Sequence, residues 1–216
     1  MLKFNGVAPR PDICYDSWKL QTYREETMKK NIKKATCLFP TPAVMVSCGG
    51  GSDAPNNIIT IAWTGIVCSE PPVASISIRP GRHSHGLVKK SGEFVVNIPR
   101  EEQLRALDYC GTTSGRNVNK FRELGLTPVT GREVSAPLIK ECPVNLECRV
   151  IHMKSLGTHD LFLGEIVAVH MDEEVMTDKG TVDISRLRPI AYCPQASQYW
   201  SLGHPIGTYG FTGGRK

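Results

Sequence analysis

The sequence lacks the features that would place it in a membrane or direct it out of the cell. No segment approaches the roughly 20 consecutive apolar residues that a membrane-spanning helix requires, although 40% of the residues are hydrophobic. No apolar stretch of the kind found in secretory signals follows Met1. We therefore expect a cytoplasmic protein that does not contact membranes.

Motifs for metal binding, dinucleotide binding and hydrolysis are also missing. The eight cysteines form no CxxC pair, and Cys142 and Cys148 are too far apart for a zinc knuckle. Gly49-Gly50-Gly51 indicates a flexible turn, because it lacks the spacing and the following helix of a dinucleotide-binding loop. No nucleophile-elbow motif supports hydrolysis. We predict free thiols and no metal, with a zinc or iron–sulfur site built from distant cysteines as a minor alternative.

Charge and length indicate a small globular protein. The net charge of +5 comes from 26 basic and 21 acidic residues, which are interleaved along the 216-residue chain. This excess favours anionic ligands but is too small and scattered to require nucleic acid. We divide the chain into a polar, helical extension over 1–33 and one main domain over 34–216. The few apolar residues of the extension suit packing on a partner subunit.

Hydrophobic patterning predicts a mostly β domain. Clean alternation over Val144–Met153 is typical of a strand with one buried face. Further strands are predicted over 43–48, 57–63, 73–79, 94–98 and 161–170, and short helices over 84–90, 101–110 and 118–124. Many short strands with few helices indicate an antiparallel barrel rather than a parallel α/β sheet.

The segment Asn56–Thr64 is the first candidate binding surface. Its apolar strand ends in small residues beside an indole, which suits a flat aromatic ligand. Backbone N–H and C=O groups would pair with the polar edge of such a ring, and Trp63 would cover it. An ordinary buried strand is the alternative interpretation. The candidate ring-binding residues are Asn56, Thr60, Ile61, Ala62, Trp63 and Thr64.

The loop after the next strand is a candidate phosphate site. It contains Arg79, Arg82, Ser84 and His85. Guanidinium groups bind phosphate oxygens in a planar fork, and a helix that begins near Ser84 would add N–H donors. A solvated basic loop is the alternative. A site for a flat ring beside a site for a phosphate fits flavin mononucleotide (FMN).

Further segments occur in the order found in one known family. They are Phe39-Pro40-Thr41-Pro42, Ser91–Pro99, Ser114–Phe121, Gly125–Pro128, Ala136-Pro137, Glu147-Cys148 and Gly157–Ile166. Together with the two candidate sites, they make the chain resemble the flavin reductase family of FMN-binding split β-barrels, over roughly residues 33–210. The resemblance implies a mostly β fold, a split antiparallel β-barrel with a few flanking helices, and a homodimer that binds FMN.

The resemblance also implies roles for Lys120 and His159. In the family, an acidic residue precedes a lysine that reaches the flavin phosphate, whereas here Asn119 precedes Lys120. The turn that contains His159 lies near the cofactor in the family, so His159 is the candidate catalytic residue, acting on the flavin or the nicotinamide. The alternatives are a solvated lysine and a turn histidine bonded to Asp160.

The function implied is that of an FMN-dependent oxidoreductase, an NAD(P)H-dependent flavin or ferric reductase. The flavin would carry the chemistry, and the protein would bind and orient it. NADH or NADPH would dock transiently, because the sequence contains no dinucleotide-binding motif. Electrons would pass to free flavin, ferric iron or a redox protein partner. A flavoredoxin-like electron carrier and a non-catalytic flavin-binding protein are the alternatives.

Overall fold

A computed structural model describes residues 29–50 and 55–213 of the chain. The chain divides into compact units between Lys34 and Ala35. Residues 29–40 have no regular secondary structure. The predicted N-terminal helix lies almost entirely outside the described residues, so the helical extension stays a prediction.

The described chain is mostly β, as the sequence predicts. In chain order, the strands are β1 Thr41–Pro42, β2 Val44–Cys48, β3 Asn57–Ile61, β4 Thr64–Ser69, β5 Pro72–Ile78, β6 Glu93–Ile98, β7 Pro128–Val129, β8 Leu138–Ile139, β9 Val144–Ser155, β10 Asp160–Met171, β11 Ile190–Cys193 and β12 Gln198–Ser201. The α-helices are α1 His83–Ser91, α2 Leu104–Thr112, α3 Lys120–Leu124 and α4 Ile184–Leu187.

The largest sheet is antiparallel and curled. Its strand order is β3-β2-β6-β9-β10-β5-β4, and a smaller sheet contains β1, β11 and β12. Ile61 of β3 and Ile76 of β5 come from near opposite ends of this order, yet they share one core cluster with Phe94. Gly164 of β10 admits the Phe94 ring, because a Cβ there would lie 2.6 Å from its Cζ atom. The sheet therefore closes around its own core, as expected for a split barrel.

Helices α2 and α3 cover the other face of β2 and β3. Side chains alternate along β2, so Val44 and Val46 enter the barrel core while Met45 packs against Leu107 and Phe121 on the helices. This packing fixes the two helices directly behind the strand that carries the predicted ring-binding residues. It explains why Lys120, a residue of α3, can reach the predicted binding site on β3.

Local capping sets where α3 begins and ends. The Asn119 side chain accepts a hydrogen bond from the Arg122 backbone N–H at 3.1 Å, and Gly125 ends the helix in the left-handed region at φ 64°. Asn119 therefore caps the helix that carries Lys120. The resemblance implies an acidic residue here, and aspartate, one of the two acidic residues, caps helices equally well.

The strands and helices predicted for the main domain are present, with differences at their ends, whereas β1, β4, β7, β8, β11, β12 and α4 were not predicted. Residues 64–69 lie outside the predicted strands but form β4, an edge strand paired with β5. The alternating pattern is weak there because four of its six residues are exposed. The predicted helix over 101–110 begins as a 3-10 turn over Glu101–Gln103 and continues as α2 to Thr112.

Candidate functional site

Two adjoining clefts lie where β3 ends and α1 begins. The first, the strand cleft, has a volume of about 300 Å³ and is lined by Ile59, Thr60, Ile61, Ala62, Trp63, Ser77, Ile78, Arg79, Arg82, His159 and Tyr192. The second, the helix cleft, has a volume of about 230 Å³ and is lined by Asn57, Ile59, Gly81, Arg82, His83, Ser84, Cys110, Gly111, Thr113, Ser114, Gly115 and Lys120. Ile59 and Arg82 line both clefts. One elongated ligand therefore fits across them.

The strand cleft offers an apolar wall and a short stretch of irregular backbone. Ile59, Ile61 and Ile78 supply the wall. Ala62 and Trp63 follow the last β2–β3 pair, so their backbone is outside that ladder. The Trp63 carbonyl accepts a hydrogen bond from the Ser77 N–H at 2.9 Å, which ties this bend to β5. A flat ring can stack on such a wall and bond at its edge.

The helix cleft is built around the N-terminus of α1. This helix begins after Arg82 with no side-chain cap and no acidic residue in its first turn. Its first N–H groups and the positive end of its dipole are therefore available to an anion. Ser84 in the first turn is buried, and its Oγ accepts a hydrogen bond from Asn57 Nδ2 at 2.7 Å.

All charged side chains that line the helix cleft in the described structure are basic. Arg82 and Lys120 are the charged side chains, His83 lines the cleft beside them, and no carboxylate does. Burial lowers the pKa of His83, and the nearby charges of Arg116 and Lys120 lower it further. The concentration of positive charge without an acidic neighbour fits a phosphate better than a neutral ligand.

Lys120 is held inside this cleft rather than on a solvated face. It is only 2% exposed, and its Nζ donates to the carbonyls of Ile58 at 2.7 Å and Cys110 at 2.8 Å. An ammonium group has three donors, so one is left for a ligand. Burial lowers the pKa of Lys120. A bound phosphate dianion would favour the charged form of this amine.

Two buried thiols next to Lys120 do not balance its charge. Burial raises the pKa of Cys48 to about 12 and that of Cys110 to about 11. Both are therefore neutral at neutral pH and behave as small core residues.

A glycine lets the loop after α2 approach the helix cleft. A Cβ on Gly115 would lie 1.9 Å from Asn57 Oδ1, closer than any real contact. Gly115 therefore preserves the position of Asn57, whose amide in turn bonds Ser84. The backbone of this loop, which has no side chain at Gly115, therefore forms one side of the helix cleft.

His159 lies at the strand cleft and does not pair with Asp160. Its Nδ1 is 2.9 Å from the Thr158 hydroxyl, and burial together with the Arg79 charge lowers its pKa. Asp160 instead contacts His85, with 2.7 Å between Oδ2 and Nε2. The predicted alternative, a turn histidine bonded to Asp160, therefore does not match the structure.

Three of the predicted site residues lie outside the two clefts. Asn56 lines neither cleft, whereas its neighbour Asn57 lines the helix cleft. Thr64 lines a third cleft on the other side of Trp63. His85 is buried and packs edge-on against Phe162, because the third residue of α1 turns toward the core rather than the helix end. All the other predicted residues line one of the two clefts.

Several lining residues had no signal in the sequence. Tyr192 comes from β11 in the small sheet, far along the chain, and Ser77 lies on the face of β5 opposite to the core residues Ile76 and Ile78. The sequence alone does not show which of Asn56 and Asn57 lines the cleft, because that depends on the register of β3. His83 is the first residue of α1, a position that only the helix boundary reveals.

Known proteins similar to this chain share its fold. Flavoredoxin of Desulfovibrio vulgaris (Miyazaki F) superposes with a TM-score of 0.81 at 35% identity, over 86% of this chain and 100% of that one. An uncharacterized protein of Archaeoglobus fulgidus is 41% identical over 132 residues, 61% of this chain and 73% of its own length. A split-barrel domain from Shewanella frigidimarina has a TM-score of 0.69 at 19% identity, over 78% of this chain and 84% of that one, which shows the fold alone.

The fold is that of a split-barrel protein, and its strand cleft and helix cleft adjoin at Ile59 and Arg82. Residues 36–201 match the family described as flavin reductase like domain, which is more than half of the chain. The chain therefore belongs to this family, and the resemblance seen in the sequence is confirmed. Family membership gives the protein a flavin-related redox role, as an oxidoreductase or an electron carrier.

Three observations bear on other classes of site. Within residues 29–50 and 55–213, no three His, Cys, Asp or Glu side chains are grouped so that they could hold a metal. The cysteines described there are free. None of the helices in the same ranges is long and apolar enough to cross a membrane.

Proposed function

We propose that this protein binds FMN and acts as an oxidoreductase that accepts a hydride from NADH or NADPH. The observation that carries the proposal is the junction, at Ile59 and Arg82, of a cleft with an apolar wall and a cleft whose charged side chains are basic. A flavin ring fits the strand cleft and its phosphate the helix cleft. When bound, the flavin supplies the redox chemistry.

The protein residues bind, orient and shield the cofactor. The N-terminus of α1, Arg82 and Lys120 hold the phosphate, while the backbone of Ala62 and Trp63 meets the edge of the ring. His159, with its lowered pKa, is neutral at neutral pH and offers a hydrogen-bond donor or acceptor at the strand cleft. The nicotinamide docks from solvent, where the exposed Arg79 at the strand cleft attracts its pyrophosphate.

The decisive experiment is anaerobic addition of NADH or NADPH to the FMN-loaded protein. Bleaching of the flavin absorbance at a rate that saturates with the nucleotide is the expected result. If neither nucleotide reduces the flavin while a reduced protein partner does, the second candidate holds, an electron carrier like the flavoredoxin to which the chain is 35% identical. If neither reduces it, the protein is a flavin-binding protein without this activity.

Replacement of Arg82 by alanine should weaken FMN binding while sparing riboflavin, which has no phosphate. We expect a loss of about tenfold, the lower end for a charge-assisted bond, because Arg82 is exposed. Flavin fluorescence quenching measures both affinities. Arg79→Ala is the matched control, since Arg79 lines only the strand cleft and should affect both flavins alike. Equal effects of Arg82→Ala on the two ligands would remove Arg82 from the phosphate site.

Replacement of His159 by glutamine should slow flavin reduction by NAD(P)H more than it weakens FMN binding. We expect a rate about tenfold lower, because a lost contact to the reacting groups acts mainly on the rate of hydride transfer. Stopped-flow bleaching at saturating FMN measures this rate. His152→Gln, an exposed histidine in β9, is the control. An unchanged rate would leave His159 with only its contact to Thr158.

We also propose that the protein is a homodimer. Edge strand β4 exposes Ile66 at 63% and Val67 at 54%, which is unusual for branched apolar residues unless another chain covers them. Sedimentation of the full chain tests this proposal, and sedimentation of a chain without residues 1–33 tests whether the extension contributes. A monomer at micromolar concentration would contradict it.

A further inference from the structure

A third cleft lies on the far side of Trp63 from the helix cleft. It has a volume of about 750 Å³ and is bounded by the segment 35–38, the beginning of β4, and Ser75 and Ser77 of β5. Ala62, Trp63 and Ser77 line both this cleft and the strand cleft. A molecule in the third cleft would therefore lie next to a ring in the strand cleft.

The lining of this third cleft is uncharged. No acidic or basic side chain is among its described lining residues, in contrast to the helix cleft. Some of its hydroxyls are already bonded within the wall: Thr64 Oγ1 donates to the Ser75 carbonyl at 2.7 Å, and Ser75 Oγ donates to the Gly65 carbonyl at 3.3 Å. Leu38 and Trp63 supply apolar surface. Such a cleft favours a neutral ligand and disfavours phosphates.

We propose that the third cleft binds the electron acceptor, an uncharged, flat molecule of the quinone class. The proposal rests on the proposed flavin site, because the reductant is the reduced flavin in the strand cleft. Two electrons and two protons leave the reduced flavin and enter the quinone, so the flavin becomes oxidised and the quinone becomes a hydroquinone. Because Ala62 and Trp63 line both clefts, they hold the two molecules close enough for the electrons to pass between them, while the protons exchange with solvent.

Gly65 provides a specific way to close the cleft. It lies in β4 at the cleft wall, and a Cβ built on it would meet no heavy atom within 4 Å. A leucine side chain at this position would extend into open space instead of into the core. Gly203 likewise has no atom within 4 Å of a Cβ and lies at a different cleft, so Gly203→Leu is the matched control.

The test uses menadione, an uncharged naphthoquinone. Equilibrium dialysis against the oxidised, FMN-loaded protein should show saturable binding that Gly65→Leu weakens at least about tenfold, with FMN affinity retained and Gly203→Leu unchanged. After anaerobic photoreduction, reoxidation by menadione should saturate in the wild type and lose saturation in Gly65→Leu. Reoxidation by ferricyanide, which accepts electrons without a fitted site, should be the same in all three proteins.

Other results would overturn the assignment. Menadione binding and reoxidation that are unaffected by Gly65→Leu would place the quinone elsewhere. Loss of a dimer in Gly65→Leu, with menadione binding unchanged, would show that a second copy of the chain covers the cleft. Failure of the wild type to bind FMN would contradict the proposed function instead, and dialysis of menadione against the flavin-free chain would still decide whether the cleft binds it.

Discussion

Replacement of Lys120 by methionine should weaken FMN binding by about tenfold to 100-fold, with a much smaller effect on riboflavin. Methionine is close to lysine in length but cannot carry the charge or the third donor that faces the phosphate. The effect should exceed that of Arg82→Ala, because Lys120 is buried while Arg82 is exposed. Fluorescence titration of both flavins against the variant measures it.

Folding of the Lys120 variant must be checked separately. The carbonyls of Ile58 and Cys110 lose their donor in Lys120→Met, and each unsatisfied buried carbonyl costs about 1–3 kcal/mol. Lys89→Met, at an exposed position in the last turn of α1, is the control for loss of one positive charge. A folded Lys120→Met protein that loses both flavins equally would show that Lys120 supports the site without contacting phosphate.

Replacement of Glu147 by glutamine should give the largest loss of stability. Glu147 of β9 is fully buried and accepts hydrogen bonds at 2.8 Å from the backbone N–H groups of Arg132, Glu133 and Val134, while it also pairs with His170. The amide of glutamine would turn a donor toward these donors. We expect a loss of about 3 kcal/mol or more, and a melting temperature lower by roughly 6–12 °C. Glu173→Gln, at an exposed position, should melt like the wild type.

The stabilisation that Glu147 gives to the fold should decrease in acid. Burial raises the pKa of Glu147, but the three backbone donors and His170 outweigh burial and hold the pKa below its ordinary value. The folded state therefore binds this proton less readily than the unfolded state. The stabilisation is complete above the ordinary carboxyl pKa and is lost as the pH falls through the lowered one. The difference in melting temperature between wild type and Glu147→Gln should narrow in acid, and a constant difference would contradict this assignment.

The sequence predicts the fold well because the barrel strands alternate or form short apolar runs. Val144–Ser155 is the clearest case, since its first residues alternate between two faces of the sheet, although Asn145 and Glu147 on the face predicted to be exposed are buried as well. Edge strand β4 lacks such a signal because only its partner β5 holds it in the sheet. Pairing of this kind depends on tertiary contacts, which periodicity does not report.

The candidate site could be predicted only where it is local in sequence. Arg82 and Ser84 lie at one helix N-terminus, so their proximity follows from the strand–loop–helix order, whereas Arg79, predicted for the same phosphate site, lines only the strand cleft. His85 belongs to the same run, but the rotation of α1 turns it inward to Asp160. Tyr192 reaches the strand cleft from a separate sheet, and no local pattern contains that information.

Titration of the wild-type protein with FMN and riboflavin tests the central claim most directly. The claim is that the basic helix cleft, with the N-terminus of α1 and Lys120, exists to hold a phosphate next to a flavin ring. Fluorescence quenching should give an affinity for FMN at least about tenfold higher than that for riboflavin, with the difference shrinking as salt is added. Equal affinities for the two flavins, or binding of neither, would contradict the account.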